Sequence, residues 1–148
     1  MAIGALRGVR IVAGASIFMA LSFLAYWVLS PGPCDYEAAA IAGLRALNSA
    51  QTEYEQTHPE TGYASTLVEL REAEVIDEAL ATGLDHDYRF TLKADPPRSS
   101  GRILTYTALA DPAFRPRGTC RGFFTNEIGT IHFTLEDRPA TVEDPLLQ

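Results

Sequence analysis

The chain has 148 residues, with 19 acidic and 12 basic side chains and a formal net charge of −7. All 19 acidic residues but only 10 of the basic ones follow residue 30, so that part carries a formal charge of −9. Lys93 is its single lysine, and no basic cluster is present to neutralise phosphates. This composition excludes nucleic acid as an expected partner.

Residues 11–30 form an uncharged, mostly apolar run, IVAGASIFMALSFLAYWVLS. Such a run would span about 30 Å as an α-helix, the thickness of a bilayer's hydrocarbon core, and it predicts a transmembrane helix surrounded by membrane lipid. Tyr26 and Trp27 lie at its end, where amphipathic rings suit the interface. Arg7 and Arg10 precede it and predict a single-pass membrane protein with a cytoplasmic N-terminus and a main domain outside the cytoplasm.

Two other interpretations of this run remain open. A cleaved signal peptide has a shorter apolar region, of about 7–15 residues, and a small residue before the cut. Here Pro31-Gly32-Pro33 follows the run instead. A lipoprotein would carry its lipid on Cys34, but the same Pro-Gly-Pro segment precedes that cysteine. The sequence therefore favours an uncleaved anchor.

Cys34 and Cys120 are the two cysteines, and both follow the apolar run. In an oxidising compartment they could form a disulfide that links the start of the first exported helix to a late strand. A closed loop of about 85 residues would contribute roughly 4–5 kcal/mol to stability in the chain-entropy treatment. Two separate thiols remain the alternative.

Apolar residues three and four positions apart predict an amphipathic helix over residues 36–57. Thr66 followed by Glu69 has the spacing of a capping box and predicts a second, shorter helix over residues 67–73. A brief helical turn is expected within residues 75–83.

The hydrophobic period then changes to two. Residues 87–94 and 102–110 alternate in this way and predict two strands, while residues 120–125 and 130–135 predict a hairpin. The resulting fold class is α+β, with an N-terminal transmembrane helix, an amphipathic helix and a small antiparallel β-meander. The predicted parts are a cytoplasmic N-terminus (1–10), the transmembrane helix (11–30), an exported α+β domain (35–138) and an extended tail (139–148).

No pattern in the chain predicts a catalytic, cofactor-binding or metal-binding site, so we expect a protein that is not an enzyme and needs no cofactor. His58, His86 and His132 are far apart and lack ligand spacing. Phe123 and Phe124 are adjacent on a predicted strand and should point to opposite faces. One is expected in the core, and the pair is the candidate contact for a partner unless a helix covers it.

The segment LRALNSAQTEY, residues 44–54, is followed in order by several further motifs: Gly62-Tyr63, Leu67 with Leu70, Val75-Ile76-Asp77, Ala79-Leu80, residues 88–92 (YRFTL) and residues 123–131 (FFTNEIGTI). In this order they resemble pilin-like proteins related to type IV pilins and type II secretion pseudopilins. The resemblance covers about residues 35–135.

The resemblance implies a long N-terminal helix, half in the membrane, a small antiparallel sheet packed on its exported half, and a structural role in a filament. The prepilin peptidase site, a glycine followed by a phenylalanine and soon a glutamate, is absent, since Gly4-Ala5-Leu6 and Gly8-Val9-Arg10 do not fit it. The predicted function is a membrane-anchored, pilin-like structural or assembly protein, an accessory of a filament or secretion system whose components are its protein partners. The alternative is a membrane-tethered extracytoplasmic domain that binds a ligand or protein without catalytic activity.

Overall fold

One long helix, α1 (Glu37–Thr57), lies against an antiparallel sheet in the computed structural model, which describes residues 34–113 and 120–148. These residues belong to one unit, Pro33–Gln148. The predicted membrane segment 11–30 lies outside the described residues, as do Arg7, Arg10, Tyr26 and Trp27.

The predicted fold class is wrong. It required an N-terminal transmembrane helix and a small pilin-like meander, but within the described residues no helix is both long and apolar enough to cross a membrane. α1 has 21 residues, yet its exposed face carries charged side chains such as Arg45 and Glu53. The structure instead has one long helix and a five-stranded antiparallel sheet.

The buried stripe of α1 follows the helical period. Ala40, Leu44, Leu47, Ala50 and Tyr54 recur mainly at spacings of three and four residues, and all are buried. Burial of a leucine side chain stabilises the fold by about 1.5–3 kcal/mol, so this stripe decides which face of α1 meets the sheet. The sheet residues in the same core are Tyr88, Phe90, Ala108, Ala110 and Phe123, and Ile131, just before β5, belongs to it as well.

Two short helices follow α1, and side-chain caps fix where they begin. In α2 (Leu67–Glu72), the amide of Glu69 donates to Oγ1 of Thr66 at 3.2 Å, as the capping-box spacing predicts. In α3 (Glu78–Ala81), the amide of Leu80 donates to Oδ1 of Asp77 at 2.9 Å. Each cap pairs an amide that the first helical turn leaves without a partner.

The sheet is a meander with the strand order β1-β2-β3-β4-β5 and antiparallel neighbours throughout. The strands are β1 (Leu84–Asp85), β2 (Tyr88–Ala94), β3 (Tyr106–Pro112), β4 (Gly122–Asn126) and β5 (His132–Thr134). Alternation did not predict β1, because two residues are too few to show a period. It forms because His86 and Asp87 both have positive φ, 46° and 60°, and turn the chain back within two residues.

Small residues let α1 and the sheet approach each other. A Cβ at Gly43 would lie 2.6 Å from Cζ of Phe90, which is closer than carbon atoms can come. Ala108 and Ala110 of β3 are fully buried in the same core. The ring of Phe90 therefore occupies space that a side chain at position 43 would fill.

Gln51 is a fully buried polar residue in the stripe of α1, and it acts as a substitute for a peptide group. Its Nε2 donates to the carbonyl of Ala64 at 3.0 Å, and its Oε1 accepts from the amide of Ala64 at 2.8 Å. Both backbone groups of Ala64, which is itself fully buried, thus find their partners on one side chain. This pair holds the loop after α1 against the helix.

Asn48 makes a second polar contact between α1 and the sheet. Its Nδ2 donates to Oγ1 of Thr125 at 2.9 Å, and its Oδ1 accepts from the hydroxyl of Tyr106 at 3.0 Å. Burial raises the pKa of Tyr106 well above its usual range, so the hydroxyl remains a donor. Directional bonds of this kind fix the rotation of α1 as well as its position.

Residues 139–148, the C-terminal segment, are the predicted extended tail, and part of this segment pairs with β5. The amide of Phe133 donates to the carbonyl of Pro145 at 3.0 Å, and the amide of Leu147 donates to the carbonyl of Ile131 at 2.8 Å. These two bonds flank an antiparallel bridge between His132 and Leu146. The segment therefore pairs with β5 through one isolated bridge, outside the five strands of the sheet.

Asp144 holds the C-terminal segment in place. Its carboxylate accepts two bonds from the guanidinium of Arg138, at 2.8 and 2.6 Å, and one from the amide of Thr141 at 2.7 Å. The bonds from Arg138, followed by those from Thr141, hold the pKa of Asp144 well below its usual range. The ionised carboxylate is therefore the form that the fold stabilises.

We expect Gln51→Leu to lower the free energy of unfolding by about 2–4 kcal/mol, because it leaves two buried backbone groups of Ala64 without partners. Denaturant unfolding of the full chain, followed by circular dichroism, would measure the change. Gln56→Leu is the matched control, since Gln56 is exposed on the same helix, and should change stability by no more than about 0.5 kcal/mol. Equal losses in the two variants would show that the bonds to Ala64 contribute nothing.

We expect Asp144→Asn to lower the melting temperature at pH 7. The melting temperature of the variant should also fall less than that of the unmodified chain as the pH is lowered. A carboxyl whose folded-state pKa is depressed stabilises the fold above its unfolded pKa of about 3.9, and this stabilisation is lost as the pH falls below that value. Melting curves between pH 7 and pH 2 would measure both effects. Glu143→Gln, an exposed carboxylate in the same segment, is the control. The explanation is wrong if the two variants give the same pH profile.

Candidate functional site at the start of helix α1

A disulfide joins Cys34, which precedes α1, to Cys120, which precedes β4. The two Cα atoms are 5.2 Å apart, although 86 positions separate the residues in sequence. A sulfur bound in a disulfide cannot also carry a lipid, so a lipoprotein anchor at Cys34 is incompatible with this bond.

An ion pair lies beside the disulfide. Glu37, the first residue of α1, accepts a bond from the backbone amide of Arg121 at 2.9 Å. Its other oxygen accepts from Nε and Nη2 of the Arg121 guanidinium, at 2.8 and 2.7 Å. The side chains are only 18% exposed for Glu37 and 32% for Arg121, so water screens this pair less than a surface pair. Glu37 also suits the positive end of the helix dipole.

Three aromatic residues hold Arg121 in position. Its guanidinium carbon lies 5.6 Å from the centre of the Phe123 ring and 5.1 Å from that of Phe133, within the range of a cation–π contact. The hydroxyl of Tyr88 donates to the carbonyl of Arg121 at 3.0 Å. We call the set Cys34, Glu37, Cys120 and Arg121 the helix-start clamp. It fixes the first turn of α1 to β4 by one covalent and several charge-assisted bonds.

The structure places both phenylalanines of the predicted partner contact inside the protein. Phe123 is fully buried and faces α1, as part of the main core. Phe124 points to the opposite face, where it is 8% exposed and lies opposite His132 with the two rings 6.0 Å apart. The C-terminal segment pairs with β5 beside them. At 0% and 8% exposure, neither ring presents a surface to a partner in this structure.

The three histidines serve different local contacts. His58 stacks on Tyr54 with the ring centres 4.1 Å apart, and His86 lies 2.8 Å from the carboxylate of Asp85. Nδ1 of His132 lies 2.7 Å from the carbonyl oxygen of Asp144, which requires that nitrogen to donate. Within the described ranges, no three His, Cys, Asp or Glu side chains are grouped so that they could hold a metal ion.

A shallow cleft lies between the end of α1 and α2. It has a volume of about 190 Å³ and is lined by Tyr54, His58, Glu69, Glu72 and Ala73. Burial, followed by the charges of Glu69 and Glu72, raises the pKa of Tyr54. The cleft is polar and acidic, and it lies at the opposite end of α1 from the helix-start clamp.

The sequence singled out the cysteines but not the ion pair beside them. Glu37 and Arg121 are 84 positions apart in the sequence. Two single charged residues so far apart form no motif that would predict their pairing. Their proximity to the two cysteines was the one available signal, because a bridge between Cys34 and Cys120 brings their neighbours together as well.

No protein-family model, no curated protein and no solved structure matches the chain. The resemblance to pilins and pseudopilins therefore stays a prediction made from the order of its motifs.

We expect Cys34→Ser/Cys120→Ser to lower the free energy of unfolding by about 4–5 kcal/mol in the chain-entropy treatment. Hydrogen exchange of the full-length double variant should also show faster exchange in the first turn of α1 than in the unmodified chain. Only the ion pair would still hold that turn to the residues before β4. Reduction of the unmodified chain should produce the same change, whereas a reductant should leave the double variant unaltered. If the oxidised and reduced chains unfold at the same denaturant concentration, the disulfide does not stabilise the fold.

Proposed function

We propose that this chain is a membrane-anchored structural or assembly protein, an accessory of a filament or secretion system of the type IV pilus or type II secretion kind. The observation that carries the proposal is the position of the helix-start clamp. Cys34 and Glu37 follow within a few residues of the apolar run 11–30. Attachment at that run would therefore transmit force directly into the helix-start clamp, which holds α1 to the sheet by a disulfide and an ion pair.

The chemistry of the clamp suits this role. A disulfide persists outside the cytoplasm, which supports a periplasmic or otherwise extracytoplasmic domain behind an uncleaved anchor in the bacterial inner membrane. Glu37 and Arg121 neutralise each other, so the pair serves as a contact between α1 and the residue before β4. Rigid attachment is what a subunit requires when it is held at one end and contacts other proteins elsewhere.

The second candidate function is a tethered extracytoplasmic domain that binds a ligand or a protein. The cleft at Tyr54, His58 and Glu72 favours it, because an aromatic ring beside carboxylates suits a cationic group. The cleft is small for a ligand pocket, which usually has a volume of about 300–1,000 Å³. A second cleft has a volume of about 400 Å³, but its lining is almost entirely charged: Arg71, Glu72, Glu74, Ile76 and Glu78. Ligand pockets are mostly apolar, so we place the structural role first.

The proposal predicts that the tagged full chain, solubilised from membranes, co-purifies with components of a pilus or secretion assembly. Two matched controls would separate the contributions of anchor and domain: residues 1–33 fused to an unrelated exported domain, and residues 34–148 placed behind an unrelated anchor. Quantitative mass spectrometry should show enrichment with the full chain over both controls. The proposal fails if no assembly component is enriched and purified filaments or secretion complexes never contain the chain.

A further inference from the structure

The shallow cleft between the end of α1 and α2 is built by regular helix faces. Its lining residues recur at spacings of three and four positions along each helix and its C-cap: Tyr54 and His58 from α1, and Glu69, Glu72 and Ala73 from α2. Residues at these spacings lie on the same side of a helix. The two helices therefore hold the polar groups of the cleft in fixed places.

Tyr54 directs an unpartnered hydroxyl into the cleft. The residue is only 8% exposed, and its hydroxyl makes no hydrogen bond within the part of the chain that the structure describes. Burial, followed by the charges of Glu69 and Glu72, raises the pKa of this hydroxyl, as expected for an oxygen that faces those carboxylates. The large majority of buried polar groups have a hydrogen-bond partner, so a molecule that enters the cleft would supply the missing one.

The two carboxylates of the cleft carry charge that no described side chain neutralises. The carboxylate of Glu69 is fixed by Ser65, whose amide and hydroxyl both donate to it at 2.7 Å. Glu72 is exposed, and neither carboxylate forms an ion pair among the described residues. Arg71, the basic residue next to Glu72, is paired with Glu78 instead. The cleft therefore attracts a cation.

His58 adds a further acceptor. Its Nδ1 lies 3.1 Å from the carbonyl oxygen of Tyr54, which requires that nitrogen to donate, so Nε2 of the neutral ring accepts. The ring is exposed, with one face stacked on Tyr54 at 4.1 Å between the ring centres. Within the described ranges, His58 and the two glutamates are not grouped so that they could hold a metal ion. The cleft therefore suits an organic cation that has several donors.

The size of the cleft limits what it can hold. Its volume of about 190 Å³ is below the range of pockets for whole ligands, about 300–1,000 Å³, and suits one side chain of a larger molecule. Arginine fits best, because its guanidinium has five donors and no acceptor and can bond to a carboxylate through two of them. Its planar group also stacks on aromatic rings, as the exposed ring of His58 allows.

We propose that this cleft receives an arginine side chain of a partner protein, whose guanidinium bonds to the carboxylate of Glu72 and the hydroxyl of Tyr54. Arginines that enter such pockets are frequent centres of binding energy at protein interfaces. The inference rests on the proposed assembly function for the source of the partner. It places the contact at the opposite end of α1 from the helix-start clamp, so the clamp and the partner hold this helix at separate ends.

The test measures binding of a defined peptide to the full chain in lipid nanodiscs. The peptide is acetyl-Gly-Arg-Gly-amide, and its control carries citrulline, which is neutral and similar in shape, in place of arginine. Nuclear magnetic resonance of alanine methyl groups reports binding through Ala73, whose signal is identified by its absence from Ala73→Ser. The arginine peptide should shift this signal in a saturable way, and the citrulline peptide should bind severalfold more weakly.

Two substitutions test the groups that the proposal names. Glu72→Gln removes the charge, and Tyr54→Phe removes the hydroxyl but keeps the ring, so each should weaken binding of the arginine peptide severalfold. Glu53→Gln is the matched control, because Glu53 is exposed on α1 outside the cleft, and it should leave binding unchanged. Absence of a saturable shift, equal binding of the citrulline peptide, or unchanged binding by either cleft variant would overturn the proposal.

Charge reversal in the full chain separates this inference from the proposed function. Glu72→Arg should reduce the enrichment of assembly components severalfold during purification from membranes, whereas Glu53→Arg should not. If both variants enrich these components as well as the unmodified chain does, this inference fails and the proposed function stands. If the arginine peptide binds as expected but no assembly component is enriched with any chain, the proposed function fails and the arginine site remains.

Discussion

The disulfide between Cys34 and Cys120 is the constraint on which the arrangement of helix and sheet depends. It brings the residue before α1 next to the residue before β4, and the bonds from Arg121 to Glu37 then orient the first turn of the helix. Once that end is fixed, the buried stripe that begins at Ala40 must lie along the sheet. The covalent bond restricts the unfolded chain, whereas the ion pair acts in the folded one, so the two stabilise the same contact by different routes.

Polar contacts give the remaining length of α1 a unique position. Apolar burial drives the helix onto the sheet but allows small rotations and shifts, because it has no direction. Asn48 bonds to Tyr106 and Thr125 on two strands, and Gln51 bonds to both backbone groups of Ala64. A rotated helix would leave these groups buried without partners, at a cost of about 1–3 kcal/mol for each. The packing is thus specified along α1 by bonds at its start, its middle and the loop that follows it.

The sequence predicts the features whose causes are local. The capping box at Thr66 and the alternation of residues 88–94 depend on neighbours within a few positions, and both lie where they were expected. The fold class was wrong, because it depended on a membrane helix that no described residues form and on a family's architecture. β1 was missed because it is a strand only through its pairing with β2, and the bridge between the C-terminal segment and β5 likewise depends on a contact that the sequence does not show. For the site, two cysteines allow one pairing, but Glu37 and Arg121 carry no signal that joins them across the chain.

The C-terminal segment covers part of one edge of the sheet, next to β5. It pairs with β5 at His132, and on the face away from α1 both Phe124 and His132 are buried there. Over β2 the same face carries Arg89, Thr91 and Lys93, all exposed. One edge of the sheet is thus partly covered by the C-terminal segment, and the strand β2 near the other edge carries exposed charged side chains. A lysine on an edge strand disfavours the addition of strands from other molecules.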